Sequence, residues 1–266
     1  MIGGAFMLTM VWAGLLGLCA GSFANVFLYR YPRGESLWKP ASRCPHCGKP
    51  VRWRHNVPVL GWLELRGRCY DCHAPISAAY PLMETAFGAL GVAVAWRVGP
   101  GLETWVYLCF FWALLLGALA DWKTQYLYDV ITLPLLVLGL GVSFAFPRLL
   151  GGLWQSPMAA LGMAATMLAL QFLGRWLFGR DALGAGDVKL MAGAACFLGW
   201  PQAWLALLVA SLLGLPVLVL FRAVRGGRWR DPAPFGPALA LGCAVAAWDL
   251  LGGAPVLRSW LGFGPA

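Results

Sequence analysis

Few residues in this 266-residue chain could do acid–base chemistry, and their placement is informative. Charged residues make up 12% of the sequence against 60% hydrophobic ones, so an ionisable group beside an apolar run is costly and needs an explanation. Asp121 ends one such run, Asp129 begins another, and Asp187 begins a third within LGAGDVKL at 183–190. Helix capping accounts for Asp129, since an aspartate at a helix start accepts backbone N–H bonds. Asp187 differs, because Gly184 and Gly186 just before it lack side chains and let backbone approach another segment or a substrate strand. Two carboxylates brought together share a proton, because like charges at short range do not both ionise cheaply. One then acts as base toward a water and the other as acid toward a scissile carbonyl. That is aspartic-protease chemistry, and it needs no metal.

A second group of candidates lies in CPHC and CYDC. Cys44, Cys47, Cys69 and Cys72 form C-x2-C, a 21-residue gap and C-x2-C, close to the spacing of two knuckles folded over one tetrahedral zinc ion. Four thiolates leave no open coordination position, so the zinc would be structural and would order a segment too small to build its own core. CYDCH also matches the C-x-x-C-H attachment motif of covalent haem, with His73 as axial ligand, but that reading leaves CPHC unexplained. His46 and His55 read as solvated loop residues, either of which could replace a thiol. Cys19, Cys109, Cys196 and Cys243 fall in apolar runs and read as small hydrophobes.

The elements that must position these residues are membrane helices. Apolar runs long enough to cross a bilayer recur, at roughly 5–29, 79–97, 103–120, 127–147, 157–178, 187–200, 201–221 and 235–252, with the sixth short and poorly separated from the seventh. The expected fold is an all-α, polytopic transmembrane bundle of about eight spans; the short alternating segments of a β-barrel are missing. Nothing basic precedes the first run, so it is expected to be retained as a span. Seventeen of the twenty lysines and arginines fall in loops on one side, which predicts that side to be cytoplasmic and, with an even number of spans, both termini to face out. The net charge of +9 then serves orientation and contact with anionic lipid headgroups, and no nucleic-acid partner is expected. The organisation expected is a first span at 1–29, a polar, basic cytoplasmic insert with the four cysteines at 30–78, and a helical bundle with the aspartates at 79–266.

Several motifs, in order, resemble the prepilin peptidases, or type IV leader peptidases. GSFANVFLYRYP at 21–32 looks like their N-terminal signature, CPHC and CYDC like their four-cysteine insert, ADWKTQYLYDVITLPLL and GAGD like their two aspartate motifs, and PFGP at 234–237 like their C-terminal motif. The resemblance implies a bacterial inner-membrane aspartic protease that removes the basic leader of type IV prepilins or pseudopilins at the cytoplasmic face, serving a pilus or a type II secretion system. It also implies N-methylation of the new terminus with S-adenosylmethionine. Carried over residue by residue, Asp121 and Asp187 match the catalytic aspartates. Glu84 and Gly88, in YPLMETAFGAL, lie where the methylation-sensitive region falls and are the candidates for contact with the methyl donor; an interfacial glutamate and a helix-interface glycine explain them too. A membrane redox protein with covalent haem and another G-x-G-D intramembrane protease are the alternatives.

Overall fold

The structure, a computed structural model, describes residues 2–150, 152–179, 183–226 and 233–252. Arg180, Arg228, Arg230 and Arg258, which enter the charge count above, lie outside them. Among the described residues eight α-helices follow one another: α1 (Ile2–Arg30), the short α2 (Leu60–Glu64), α3 (Ala79–Val98), α4 (Leu102–Thr124), α5 (Asp129–Ala145), α6 (Gln155–Phe178), α7 (Ala185–Arg225) and α8 (Gly236–Leu250). Among the described residues the only β pairing is two isolated bridges, Arg43 with Pro50 and Arg68 with Pro75. The all-α expectation is borne out. Four of the described segments, Gly3–Arg33, Leu102–Thr124, Gln155–Leu177 and Ala185–Arg225, are long and apolar enough to span a bilayer, and Asp129–Ala145 and Gly236–Leu250 are shorter apolar helices.

Chain contacts divide the molecule into two compact units, Met1–Leu108 and Cys109–Ala266. In the first, α1 packs along α3 through a seam of glycines. A Cβ at Gly17 would lie 2.5 Å from the Phe87 carbonyl oxygen, one at Gly21 2.6 Å from Glu84 Cα, and one at Gly91 2.4 Å from the Ala13 carbonyl oxygen. Where lipid is the solvent, such close backbone approach supplies the packing that a hydrophobic driving force would supply in water. Gly88 belongs to the same seam, since a Cβ there would meet Leu18 Cδ2 at 2.9 Å.

In the second unit, α7 packs against α5, α6 and α8. Its 41 residues are broken at Gly199, whose φ of 72° falls in the left-handed region that favours glycine. The break is a reversal. Asp187 at the start of α7 feels the charge of Asp121 near the end of α4, and Phe221, 34 residues later, packs edge-on against Trp122 with ring centroids 5.2 Å apart. An unbroken helix would separate Asp187 from Phe221 by about 51 Å. The two ends of α7 therefore lie at the same end of the bundle, and the sixth and seventh spans are two antiparallel helices joined at Gly199. Ser156 secures the turn from α6 by donating its hydroxyl to the Cys196 carbonyl at 2.7 Å.

Candidate active site

The two aspartates sit at helix ends that are held by backbone donors. Asp121 lies in the last turn of α4, is 6% exposed, and its Oδ2 accepts the Gly236 N–H at 2.7 Å. Gly236 is the first residue of α8, with Pro237 behind it, so its N–H is one of the four that a helix N-terminus cannot satisfy internally. The carboxylate thus meets the positive end of α8. A side chain at 236 is excluded, because a Cβ there would lie 2.7 Å from Asp121 Oδ2. The sequence singles out PFGP without giving it a role; the proline at the second helical position was the signal that a helix starts there and offers free N–H groups.

Asp187 lies in the first turn of α7, is 8% exposed, and reaches back so that its Oδ2 accepts the Gly184 N–H at 2.9 Å. This is half of a capping box. A Cβ at Gly186 would meet Leu127 Cβ at 2.6 Å, so the close approach foreseen for this glycine is to the loop before α5. Each carboxylate therefore has one oxygen fixed by a backbone N–H and a second, Oδ1, with no partner among the described residues. The pair is close enough for charge to be felt between them.

Asp129 departs from expectation. It does not cap α5: Tyr128 holds the capping position without a side-chain bond, and Asp129 Oδ1 accepts from Lys189 Nζ at 2.7 Å. The pair ties the start of α5 to the first turns of α7. Lys189 two residues after Asp187 was legible as a charge at a membrane edge, but nothing local named its partner sixty residues away.

The four cysteines converge. Their Sγ atoms lie within 4.8 Å of one another, with Cys44 and Cys72 3.8 Å apart. A tetrahedral zinc with bonds of 2.3 Å demands an edge of about 3.8 Å, so the donor set fits a structural zinc. The two knuckles repeat each other. Cys44 N–H donates to the Lys49 carbonyl and Gly48 N–H to that of Cys44; Cys69 N–H donates to the Ala74 carbonyl and His73 N–H to that of Cys69. Gly48 and His73 hold equivalent positive-φ positions, at 70° and 55°. His73 is a turn residue, and both thiols of CYDCH are committed to the four-sulfur cluster, which leaves the haem reading without support. All four are free thiols. The Cys47 N–H draws the Cys44 thiol down to about 6. Cys72 is pushed up to about 12, against the Ala74 N–H, by burial and the three neighbouring thiols.

His55 is not solvated. It is 8% exposed, its Nε2 lies 3.6 Å from Glu64 Oε1, and its ring packs near Tyr70 with centroids 5.1 Å apart. His46 is exposed, as expected. Of the methyl-donor candidates, Glu84 is buried and its Oε2 accepts the Val59 N–H at 2.7 Å, while Gly88 is taken up by helix packing.

Comparison with known proteins divides the chain in a similar way. Residues 15–98 match the Bacterial Peptidase A24 N-terminal domain, and residues 108–219 match the Type IV leader peptidase family. The chain is similar to proteins named prepilin leader peptidase/N-methyltransferase: 38% identical to that of Pseudomonas putida, covering 92% of this chain and 90% of the relative. Identity is 37% to the Aeromonas hydrophila protein over 93% and 92% of the two chains, and 36% to the Pseudomonas aeruginosa protein over 97% and 94%. No solved structure matches. With four spanning segments, a four-thiol cluster and this similarity along nearly its whole length, the chain belongs to the type IV leader peptidase family.

Proposed function

We propose that this protein is a membrane aspartic endopeptidase that cleaves the leader of type IV prepilins or pseudopilins and methylates the amine it exposes. The observation that carries the peptidase is the pair of buried aspartates, Asp121 and Asp187, each with one oxygen held by a backbone N–H and the other without a partner among the described residues. A water between the two Oδ1 atoms loses its proton to the ionised carboxylate as it attacks the scissile carbonyl carbon. The protonated carboxylate donates to the carbonyl oxygen. The tetrahedral gem-diol then collapses: one hydroxyl returns its proton to the second carboxylate as the C=O bond re-forms, the C–N bond breaks with its electron pair staying on nitrogen, and the nitrogen takes the proton held by the first carboxylate. Gly236 and Gly184 keep the carboxylates from turning away during these transfers.

The charge bias supports a cytoplasmic position for the aspartate site and for the 30–78 insert. A substrate with a basic leader and an apolar helix suits that position, with the helix in lipid and the leader in water. Cys44, Cys47, Cys69 and Cys72 hold a zinc ion there, whose contribution is to order the insert. The names of the relatives support methyl transfer, for which S-adenosylmethionine is the donor.

The test is direct. The purified protein is incubated with a prepilin, with and without S-adenosylmethionine, and the products are weighed by mass spectrometry. Leader loss in both cases, with one added methyl group only when the donor is present, is the expected result. An intact prepilin in both would end the peptidase reading.

A further inference from the structure

The Met1–Leu108 unit contains a pocket of about 660 Å³, within the size range of small-molecule sites. Its walls come from the last turns of α1 (Ser22, Asn25), from the insert (Ala41, Arg43) and from the first turns of α3 (Tyr80, Glu84). The polar groups here are not all spoken for. Glu84 is only 8% exposed, yet of its two oxygens only Oε2 has a partner among the described residues, the Val59 N–H. A buried carboxylate with an open oxygen is costly unless a cation or donor meets it. Asn25 spends its amide N–H groups on the Gly21 and Tyr80 carbonyls, at 3.3 and 3.2 Å, which leaves its own oxygen open. Arg43 is exposed, and its guanidinium makes no hydrogen bond or ion pair among the described residues. It is the group of choice for a carboxylate.

We propose that this pocket is the methyl-donor site, with Glu84 facing the positive charge of a sulfonium nucleoside, Arg43 its carboxylate, and Asn25 and Tyr80 its base. The proposal rests on the methyltransferase reading and deepens it. The acids of the peptidase belong to the Cys109–Ala266 unit, so methyl transfer needs a site of its own, and this one matches the donor group by group. In the transfer the lone pair of the pilin amine forms a bond to the methyl carbon. The C–S bond breaks with its electron pair remaining on sulfur, and one proton leaves nitrogen for water. The positive charge on sulfur disappears, so a carboxylate facing it prefers donor to product. Gly88 stands outside the site, in the α1–α3 seam.

The experiment measures equilibrium binding of S-adenosylmethionine and of S-adenosylhomocysteine to the full-length zinc-loaded protein in detergent, with zinc content and melting temperature as checks on folding. Ser22→Trp and Ala41→Trp, which fill the pocket from two of its walls, should each abolish binding. Glu84→Gln keeps an acceptor for Val59 but loses the charge, so donor affinity should fall roughly tenfold and product affinity distinctly less. A merely structural role for Glu84 would lower both alike. Should the tryptophan variants lose their zinc, the donor-to-product ratio in Glu84→Gln decides. Wild-type binding that survives both tryptophans, or an unchanged ratio in Glu84→Gln, overturns the site while leaving the methyltransferase intact. A wild type that neither binds the donor nor methylates a cleaved pilin removes the methyltransferase reading itself.

Discussion

At the scale of single residues, the proposed chemistry rests on two carboxylates that must exchange protons. Asp121→Asn and Asp187→Asn should each abolish cleavage in a prepilin assay while the protein still inserts and holds zinc, and the double variant should be no worse than either. Losses that multiply would mean independent contributors and would sink the shared-proton mechanism. Gly236→Ala should reduce cleavage by roughly tenfold or more with little change in KM, because its Cβ would push Asp121 out of line and disturb the transition state rather than substrate binding. The Asp129–Lys189 pair belongs to another class, being half exposed, with side chains at 52% and 39%. Such pairs contribute about 0–1 kcal/mol, so Asp129→Asn should barely move the melting temperature and should leave most cleavage intact. The aspartates and cysteines were legible because their types are rare in this composition. Gly236 was not: the need for glycine arises from a carboxylate 115 residues away, and no local pattern records such a contact.

At the scale of elements, the long helices were legible to within a few residues, since in lipid every backbone polar group must be satisfied within its own segment, though the short α2 was not. The poorly separated sixth and seventh spans were hard to divide for a physical reason: the sequence is apolar throughout, and a single positive-φ glycine, Gly199, makes the turn. Gly199→Ala should therefore destabilise the protein by about 1 kcal/mol or more, read as a lower thermal midpoint, since its φ is unfavourable for alanine and its Cβ would meet Gln155 Nε2 at 2.9 Å. The insert is an element whose four-thiol cluster fits a metal, and the proposed zinc would hold it together. Zinc binding must displace the Cys72 proton, whose thiol is pushed up to about 12, whereas the Cys44 thiol, down at about 6, is ready above that pH. Loading therefore releases protons, and the zinc affinity measured against a competing chelator should rise between about pH 6 and pH 8. A flat profile would exclude thiolate ligation. His55 was misread because a histidine between an arginine and an asparagine looks solvated; only the fold of the insert brings Tyr70 and Glu64 around it.

At the scale of the whole molecule, the charge distribution carries the argument. The chain has twenty basic residues, and seventeen of them fall in loops or near helix ends that the alternation of spans puts on one side. Because short basic loops resist translocation, that side should be cytoplasmic, and the aspartates at the ends of α4 and α7 go with it. The reversal at Gly199 matters here. Were α7 one straight span, Asp187 and the basic cluster at Arg222 and Arg225 would lie on opposite sides; with the reversal they lie on the same side, and the edge-on contact of Trp122 with Phe221 agrees. Ser36 reports on this directly, being exposed in the insert. Its hydroxyl accepts the backbone N–H groups of Trp38 and Lys39 at 3.3 and 3.2 Å, contacts that a cysteine there can lose without unfolding a segment held by four other thiols. In intact cells carrying Ser36→Cys, a membrane-impermeant thiol reagent should leave residue 36 unlabelled, and permeabilising the inner membrane should expose it. In the proposed zinc-loaded protein the four cluster cysteines are shielded by the metal, and the native Cys19 and Cys109 are replaced by serine to clear the background. Labelling without permeabilisation would put the insert outside, reverse every loop, and remove the peptidase site from the compartment where a prepilin leader is presented.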